Sequence, residues 1–263
     1  MTCAPSPRFF GQAQQSRTVG PFTVTHSQAT VPADDVPDHV HDEAHFVFVT
    51  RGAYVSSARG GGDPLLVYNP AQTEHRDHFA EAGGWFLSIA FDARWAEGAT
   101  DTRTAIRMQQ DTAYGAALNL LRTLHPGAAP EAMEARCWEL LARADQTRHP
   151  ADMPRAVHAA LEIIHESRDP GLSVSGIAAE AGIHPAHLSR AFRRQFGRTP
   201  SAMLQSVRME RAIRLVSGAD MSLGEVALET GYFDQSHMTN AFTRALGVTP
   251  ASLRRDLTVI FSD

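Results

Sequence analysis

The sequence predicts two domains: an amino-terminal antiparallel β-barrel followed by helices, and a carboxy-terminal all-α domain with two helix-turn-helix motifs. One observation behind this is a helical pattern that occurs twice after residue 170. Another is a series of short segments rich in β-branched and aromatic residues, separated by glycines and confined to residues 21–100. The third is composition: 263 residues, 43% hydrophobic and 20% charged, suffice for two globular domains of ordinary size.

Residues 1–20 contain Pro5, Pro7, Gln12, Gln14 and Gln15 without a hydrophobic block, so they read as a flexible arm, with neither a signal peptide nor a membrane span expected. Strands are predicted at Phe22 to Thr25, Phe46 to Thr50, Tyr54 to Ser57, Leu65 to Tyr68 and Trp85 to Phe91, with turns at Gly60 to Gly62 and at Gly83-Gly84. Residues 101–148 form a helical region. Its helices run from about Thr104 to Leu124, striped by Leu118, Leu121 and Leu124, and from Pro130 to Ala144, striped by Met133, Cys137, Leu140 and Leu141. Residues 149–154, with Pro150 and Pro154, form the interdomain linker. The second domain spans 155–256: a first helix up to Ser167, ended by Asp169-Pro170-Gly171, then Ser173 as a cap, and a connecting helix from Gln205 to Ser217.

The repeat occupies about 173–197 and 222–247. Its first copy places Gly182 after a short helix containing Ala178, then Leu188, Phe192 and Phe196 at four-residue spacing, then Gly197 and Thr199-Pro200. The second repeats this with Ala227, Gly231, Met238, Phe242, Leu246, Gly247 and Thr249-Pro250. Each glycine after the short helix stands where the chain turns sharply and a positive φ costs least. Each longer helix buries one apolar face and leaves the other free for a groove. Gly182 and Gly231 are 49 positions apart but Gly197 and Gly247 are 50 apart, so the second turn holds one extra residue.

The net charge of −5 is unevenly distributed. Residues 1–151 carry 12 arginines against 17 acids, residues 152–263 carry 12 against 12, and there is no lysine. Attraction to a polyanion is therefore expected to be local, centred on Arg190, Arg193, Arg194 and Arg198. Arg208, Arg211 and Arg214 read as a solvated face of the connecting helix. The two cysteines, Cys3 and Cys137, are too few for a disulfide scaffold and lack metal-ligand spacing, and are read as reduced and incidental.

Residues 155 to 255 or so resemble the DNA-binding domain of AraC/XylS-type transcription regulators, whose second half carries Gly-Phe-x-Asp-Gln-Ser and Gly-x-Thr-Pro. Here these stand as Gly231-Tyr-Phe-Asp-Gln-Ser236 and Gly247-Val-Thr-Pro250, with Asn240 where arginine is frequent; asparagine suits adenine where arginine suits guanine. The amino-terminal outward positions of each reading helix should meet base edges: Ala186, His187, Ser189 and Arg190 in the first, Gln235, Ser236, Thr239 and Asn240 in the second. Arg193 and Arg194 are better placed for phosphates. The resemblance points to the same positions. It also implies a sequence-specific transcription regulator, activator or repressor, in the cytoplasm, off the membrane, with double-stranded DNA, RNA polymerase and a small-molecule or metal effector as partners. The helices of 101–148 would then form a homodimer interface. Two alternatives stay open: a ligand-independent DNA binder whose barrel only dimerises, and a metal-dependent barrel enzyme fused to a DNA reader. No nucleophile, carboxylate pair or phosphate loop is readable, so the expectation is a protein that is not an enzyme.

Residues 21–100 contain His39-x-His41-x3-His45-x6-Gly52, then Asn69-Pro70 and His75. This resembles the cupin motif pair, in which His-x-His, a glutamate and a later histidine hold a metal in a jelly roll; His45 stands at the glutamate position. If one strand ran unbroken from His39 to His45, all three imidazoles would face the same side. With His75 the set would suit Zn, Ni, Cu or Fe. The competing reading is a pocket for an organic effector, with Glu43, Glu74 and Asp77 as contacts or as supports for the ligands. His26 and His78 are read as surface residues.

Overall fold

In the computed structural model, residues 10–58, 64–81, 83–96, 104–108, 111–125, 127–144, 153–218 and 220–260 are described. The turn predicted at Gly60 to Gly62, Cys3 and most of the predicted linker lie outside them. The chain divides near residue 145 into two compact units.

The first unit holds β1 (Gly11–Val19), β2 (Phe22–Ala29), β3 (Ala44–Arg51), β4 (Tyr54–Val55), β5 (Leu66–Asn69), β6 (His78–Phe79), β7 (Trp85–Phe91) and β8 (Ile106–Arg107), followed by α1 (Asp111–Arg122) and α2 (Pro130–Ala144). Six strands form an antiparallel sheet in the order β1-β2-β7-β3-β5-β8, and β4 pairs with β6 as a separate ribbon. Among the described residues no strand pairing joins β1 to β8, so these strands form a sheet-rich unit in which barrel closure is not shown.

Period-two alternation gives the sheet two different faces. Phe22, Phe46, Tyr68 and Phe91 stack against one another on one face, and Trp138 of α2 meets Phe22 edge-on with ring centroids 4.8 Å apart. The opposite face carries His45, Val47 and Phe86 and lines a pocket. Strands β3, β5 and β7 are therefore buried almost throughout.

Three expectations change here. Residues 11–19 of the predicted arm form β1, an edge strand that is polar because most of its side chains face solvent. It is held by main-chain pairing to β2 and by Arg17, which donates to the carbonyls of His125 and Ala128 at 2.9 and 3.1 Å. The predicted helix from Thr104 starts instead at Asp111, because Ile106 and Arg107 extend the sheet beside Tyr68 and Val67. The leucine, methionine and cysteine stripes offered for a dimer are all buried within this unit. Burial and the nearby Glu134 push the Cys137 thiol up to about 12, which leaves it inert.

The second unit comprises α3 (Arg155–Glu166), α4 (Val174–Glu180), α5 (Pro185–Phe196), α6 (Pro200–Ser217), α7 (Leu223–Glu229), α8 (Gln235–Leu246) and α9 (Pro250–Ile260). Ser173 and Ser222 cap α4 and α7, the latter in a reciprocal capping box with Glu225. Gly197 and Gly247 close α5 and α8 in the left-handed conformation. The Thr-Pro after each also opens the next helix: Thr199 accepts the Ala202 N–H and Pro200 occupies the first turn of α6, five residues earlier than expected from Gln205. Helix α6 runs through the middle of the unit, touching α3, α5, α7 and α9.

The arginines read as a solvated face of α6 are structural instead. Arg208 donates to the carbonyls of Pro170 and Leu172 at 2.8 and 2.9 Å, Arg211 to that of His165 at 3.0 Å, and Arg214 pairs with the buried Glu210 at 3.5 Å. These bonds make the two repeat glycines unequal, although φ is +64° at Gly182 and +78° at Gly231. A Cβ at Gly231 would lie 2.5 Å from the Pro170 oxygen and 2.7 Å from Arg208 Nε, whereas nothing lies within 4 Å at Gly182. Gly182→Ala is expected to cost about 1–2 kcal/mol from the left-handed backbone alone. Gly231→Ala should cost clearly more in urea unfolding followed by far-ultraviolet circular dichroism, and equal losses would contradict the packing.

Candidate nucleic-acid interface and candidate metal centre

Both reading helices are anchored by buried stripes, Leu188 and Phe192 in α5 and Met238, Phe242 and Leu246 in α8. The opposite faces are open. Ala186, His187, Arg190, Arg193 and Arg194 are exposed on α5 and Ser189 is half-buried; Gln235, Ser236 and Asn240 are exposed on α8 and Thr239 is half-buried. All ten predicted contact positions therefore lie on accessible or partly accessible faces.

The two helices differ in charge. His184 caps α5, its Nδ1 accepting the Ala186 N–H at 3.2 Å, and three exposed arginines follow on that helix. Helix α8 begins with a carboxylate cap, Asp234 Oδ1 accepting the His237 N–H at 2.7 Å, and presents amides and hydroxyls. Helix α5 thus presents a positively charged face and α8 one of amides and hydroxyls. Arg198 leaves the predicted cluster, because its Nη2 donates to the Ala202 carbonyl at 2.7 Å and to Ser206 Oγ at 2.6 Å. The exposed His237 and Phe233 beside the front of α8 were not among the predicted contacts; the unequal glycine spacing pointed to that turn.

In the first unit His39 and His75 face each other across an isolated antiparallel bridge, each N–H donating to the other's carbonyl at 3.0 Å. His39, His41 and His75 bring one ring nitrogen each to within 4.8 Å of the others. His39 Nδ1 lies 2.9 Å from the Pro37 carbonyl and His75 Nδ1 lies 2.8 Å from that of Thr73. A carbonyl only accepts, so each Nδ1 carries the proton and each Nε2 keeps its lone pair, the arrangement that prepares imidazole for a metal. Burial holds His75 below its ordinary pKa, which favours the neutral, ligating form.

His45 plays a different part from the one expected. Its ring lies beside the others, 4.6 Å from His41 and 5.5 Å from His75 by centroid. However, its Nε2 is 3.1 Å from Asn69 Nδ2 and its Nδ1 is 3.4 Å from the Glu43 carbonyl, so both nitrogens are engaged. Burial, then His41 and His75, hold it well below its ordinary pKa. Asn69 also donates to Asp77 Oδ2 at 3.0 Å, and Asp77 accepts from the buried Tyr54 phenol. The candidate ligand set is therefore three imidazoles, braced by a hydrogen-bonded chain from His45 to Tyr54. The condition of one unbroken strand is not met, since β3 starts at Ala44, yet His39, His41 and His45 still line one pocket. Glu74 is not among the residues lining it, while His78 is.

The pocket offers about 30 Å³ between the histidines and an apolar wall of Val31, Val36, Val47, Phe79 and Phe86. One water needs roughly 10–15 Å³ by this kind of measure, so the space suits an ion with a water or two rather than a sugar-sized molecule.

A helix-turn-helix domain family matches residues 177–256. The HTH-type transcriptional regulator GlxA of Rhizobium meliloti is 35% identical over 109 residues, covering 41% of this chain and 32% of that protein. A putative AraC-like transcription regulator of Streptomyces antibioticus is 29% identical over 194 residues, covering 73% of this chain and 56% of that protein. The alignments thus span about a third and just over half of these relatives. Among solved structures, the C-terminal domain of AraT, a response regulator from Geobacillus stearothermophilus, is 28% identical, covering 41% of this chain and 88% of that one, with a TM-score of 0.36. Tandem motifs with matching turns, caps and buried stripes coincide with the matched residues, so residues 177–256 form a helix-turn-helix domain similar to that of AraC-like transcription regulators.

Proposed function

We propose that this protein is a sequence-specific, DNA-binding transcription regulator whose amino-terminal, cupin-like domain senses a divalent transition metal and thereby modulates promoter binding. The observation that carries the DNA half is the pair of reading helices, each locked by a buried stripe and exposing a polar face. Helix α5 supplies phosphate contacts through Arg193 and Arg194 and base contacts through Ala186, His187, Ser189 and Arg190. Helix α8 reads with Gln235, Ser236, Thr239 and Asn240. Two such helices in successive major grooves stand about 34 Å apart on one face of the duplex.

The sensor half rests on the fit of three imidazoles to a metal: two tautomers set by carbonyls, a pocket with one apolar wall and room for an ion. Zn, Ni, Cu or Fe would be held by His39, His41 and His75, tying the segment before β3 to the one before β6. An ion that favours the DNA-competent population raises operator affinity by its differential affinity for the two states. RNA polymerase is the expected downstream partner. A homodimer would use outward faces of α1 and α2, since their apolar stripes are already buried.

The test is fluorescence anisotropy on duplexes selected from a random pool, with Zn²⁺, with Ni²⁺ and with chelator. Metal-dependent affinity supports sensing. Specific binding that ignores metal favours the alternative in which the first unit only assembles the protein. Arg190→Ala is expected to cost roughly 1–3 kcal/mol and to relax preference at one base, whereas Arg194→Ala should weaken selected and random DNA alike. Equal losses on both duplexes for Arg190→Ala would remove it from base reading.

A further inference from the structure

The extra residue in the second turn can be identified from hydrogen bonds. Ile183 N–H donates to the Ala178 carbonyl and Tyr232 N–H to the Ala227 carbonyl, both at 2.9 Å, so Ile183 and Tyr232 occupy the same place in the two copies. The caps that follow, His184 and Asp234, also correspond. What lies between Tyr232 and Asp234, with no counterpart in the first copy, is Phe233.

Phe233 is 85% exposed, against 60% for the next most exposed large hydrophobic residue, Leu228, among the described residues. Its backbone is fixed on both sides. Tyr232 is buried with its ring edge-on to His237, Asp234 caps α8, and the Phe233 N–H donates to His237 Nδ1 at 3.3 Å. The phenyl ring is thus held out at the front of the reading helix, where helix-turn-helix proteins meet base edges. The apolar feature of the major groove is the thymine C5-methyl group. Asp234 beside it disfavours approach to a phosphate, which leaves the groove floor as the surface the ring can cover.

We propose that Phe233 is a specificity-determining residue that packs on a thymine methyl in the half-site read by α8. The inference rests on the DNA-reading function proposed above. It agrees in direction with Asn240, whose amide suits adenine, so that this half-site is A·T-rich.

The test uses the full chain on sites selected from a random duplex pool, with each thymine of the α8 half-site replaced singly by deoxyuridine, which removes only the methyl. Wild type is expected to lose about 4-fold at one thymine, the equivalent of one methyl-sized group leaving an apolar contact. Phe233→Ala should bind the thymine and deoxyuridine duplexes equally, and Phe233→Leu should keep part of the preference. A Phe233→Ala variant that discriminates the two duplexes as wild type does overturns the proposal, as does a wild type indifferent at every thymine. Unchanged operator binding by Phe233→Ala with loss of polymerase-dependent transcription assigns the ring to polymerase and also overturns it. Failure of the pool to enrich any site overturns the DNA-reading function itself, a distinguishable result.

Discussion

Full-length protein purified without chelator is expected to carry close to one transition-metal ion per chain by plasma mass spectrometry, and the His39→Ala/His41→Ala double variant to carry none. The expectation follows from geometry that the protein already maintains. Two Nδ1–H groups are pinned to the Pro37 and Thr73 carbonyls, so the ligating nitrogens need no rearrangement to present lone pairs. Partners of this kind alone are worth 10–100-fold in metal affinity, and removing two of three ligands leaves a single imidazole, too weak to survive purification. His45→Ala separates a three-ligand from a four-ligand site. With both His45 nitrogens engaged, the variant should retain its metal. Loss of metal in His45→Ala would mean that the Asn69 bond breaks and His45 joins the site. Wild type that takes up no metal even on titration with Zn²⁺ or Ni²⁺ would return the histidines to lining an organic effector pocket.

The second unit was the more legible from sequence because its signals are local. Glycine at each sharp turn, serine before the first short helix and an apolar residue every fourth position depend only on neighbours in the chain, and the structure reproduces all three. The misreadings came from the same signals seen from one side. Thr199-Pro200 was taken as the end of a helix, although the threonine side chain and the proline ring also start the next one. Arg208 and Arg211 looked solvated because the carbonyls they satisfy lie about 36 to 46 positions away in sequence. In the first unit long-range pairing dominates. Strand β1 is mostly polar and shows no alternation, so only its partner β2 reveals it. The four histidines do lie side by side, but no spacing rule separates the three whose ring nitrogens converge from His45, because that depends on Asn69, which is 24 positions away. Phe233 was not singled out because an exposed aromatic side chain on a turn looks the same in sequence as a buried one.

His26 was read as a surface residue and is instead 1% exposed, with Nε2 3.2 Å from Thr50 Oγ1 and its ring stacked on Trp85 at 5.0 Å. Burial lowers its pKa to about 4, so the folded chain resists protonation that the unfolded chain accepts from about pH 6.5 downward. Below that value the unfolded state binds more protons, and stability must fall as pH falls, until His26 protonates in the folded state as well. Relative to pH 7 the expected loss from this group is about 2 kcal/mol by pH 5 and about 3 kcal/mol by pH 4. All three tryptophans, Trp85, Trp95 and Trp138, lie in the first unit, so urea unfolding followed by their fluorescence reports the unit that contains His26. His26→Gln keeps a hydrogen-bonding group near Thr50 and cannot titrate. Its stability should therefore decline between pH 7 and pH 4 by about 3 kcal/mol less than wild type, whatever its stability at pH 7. Parallel pH profiles for the two proteins would show that the buried imidazole does not control the acid sensitivity of the first unit.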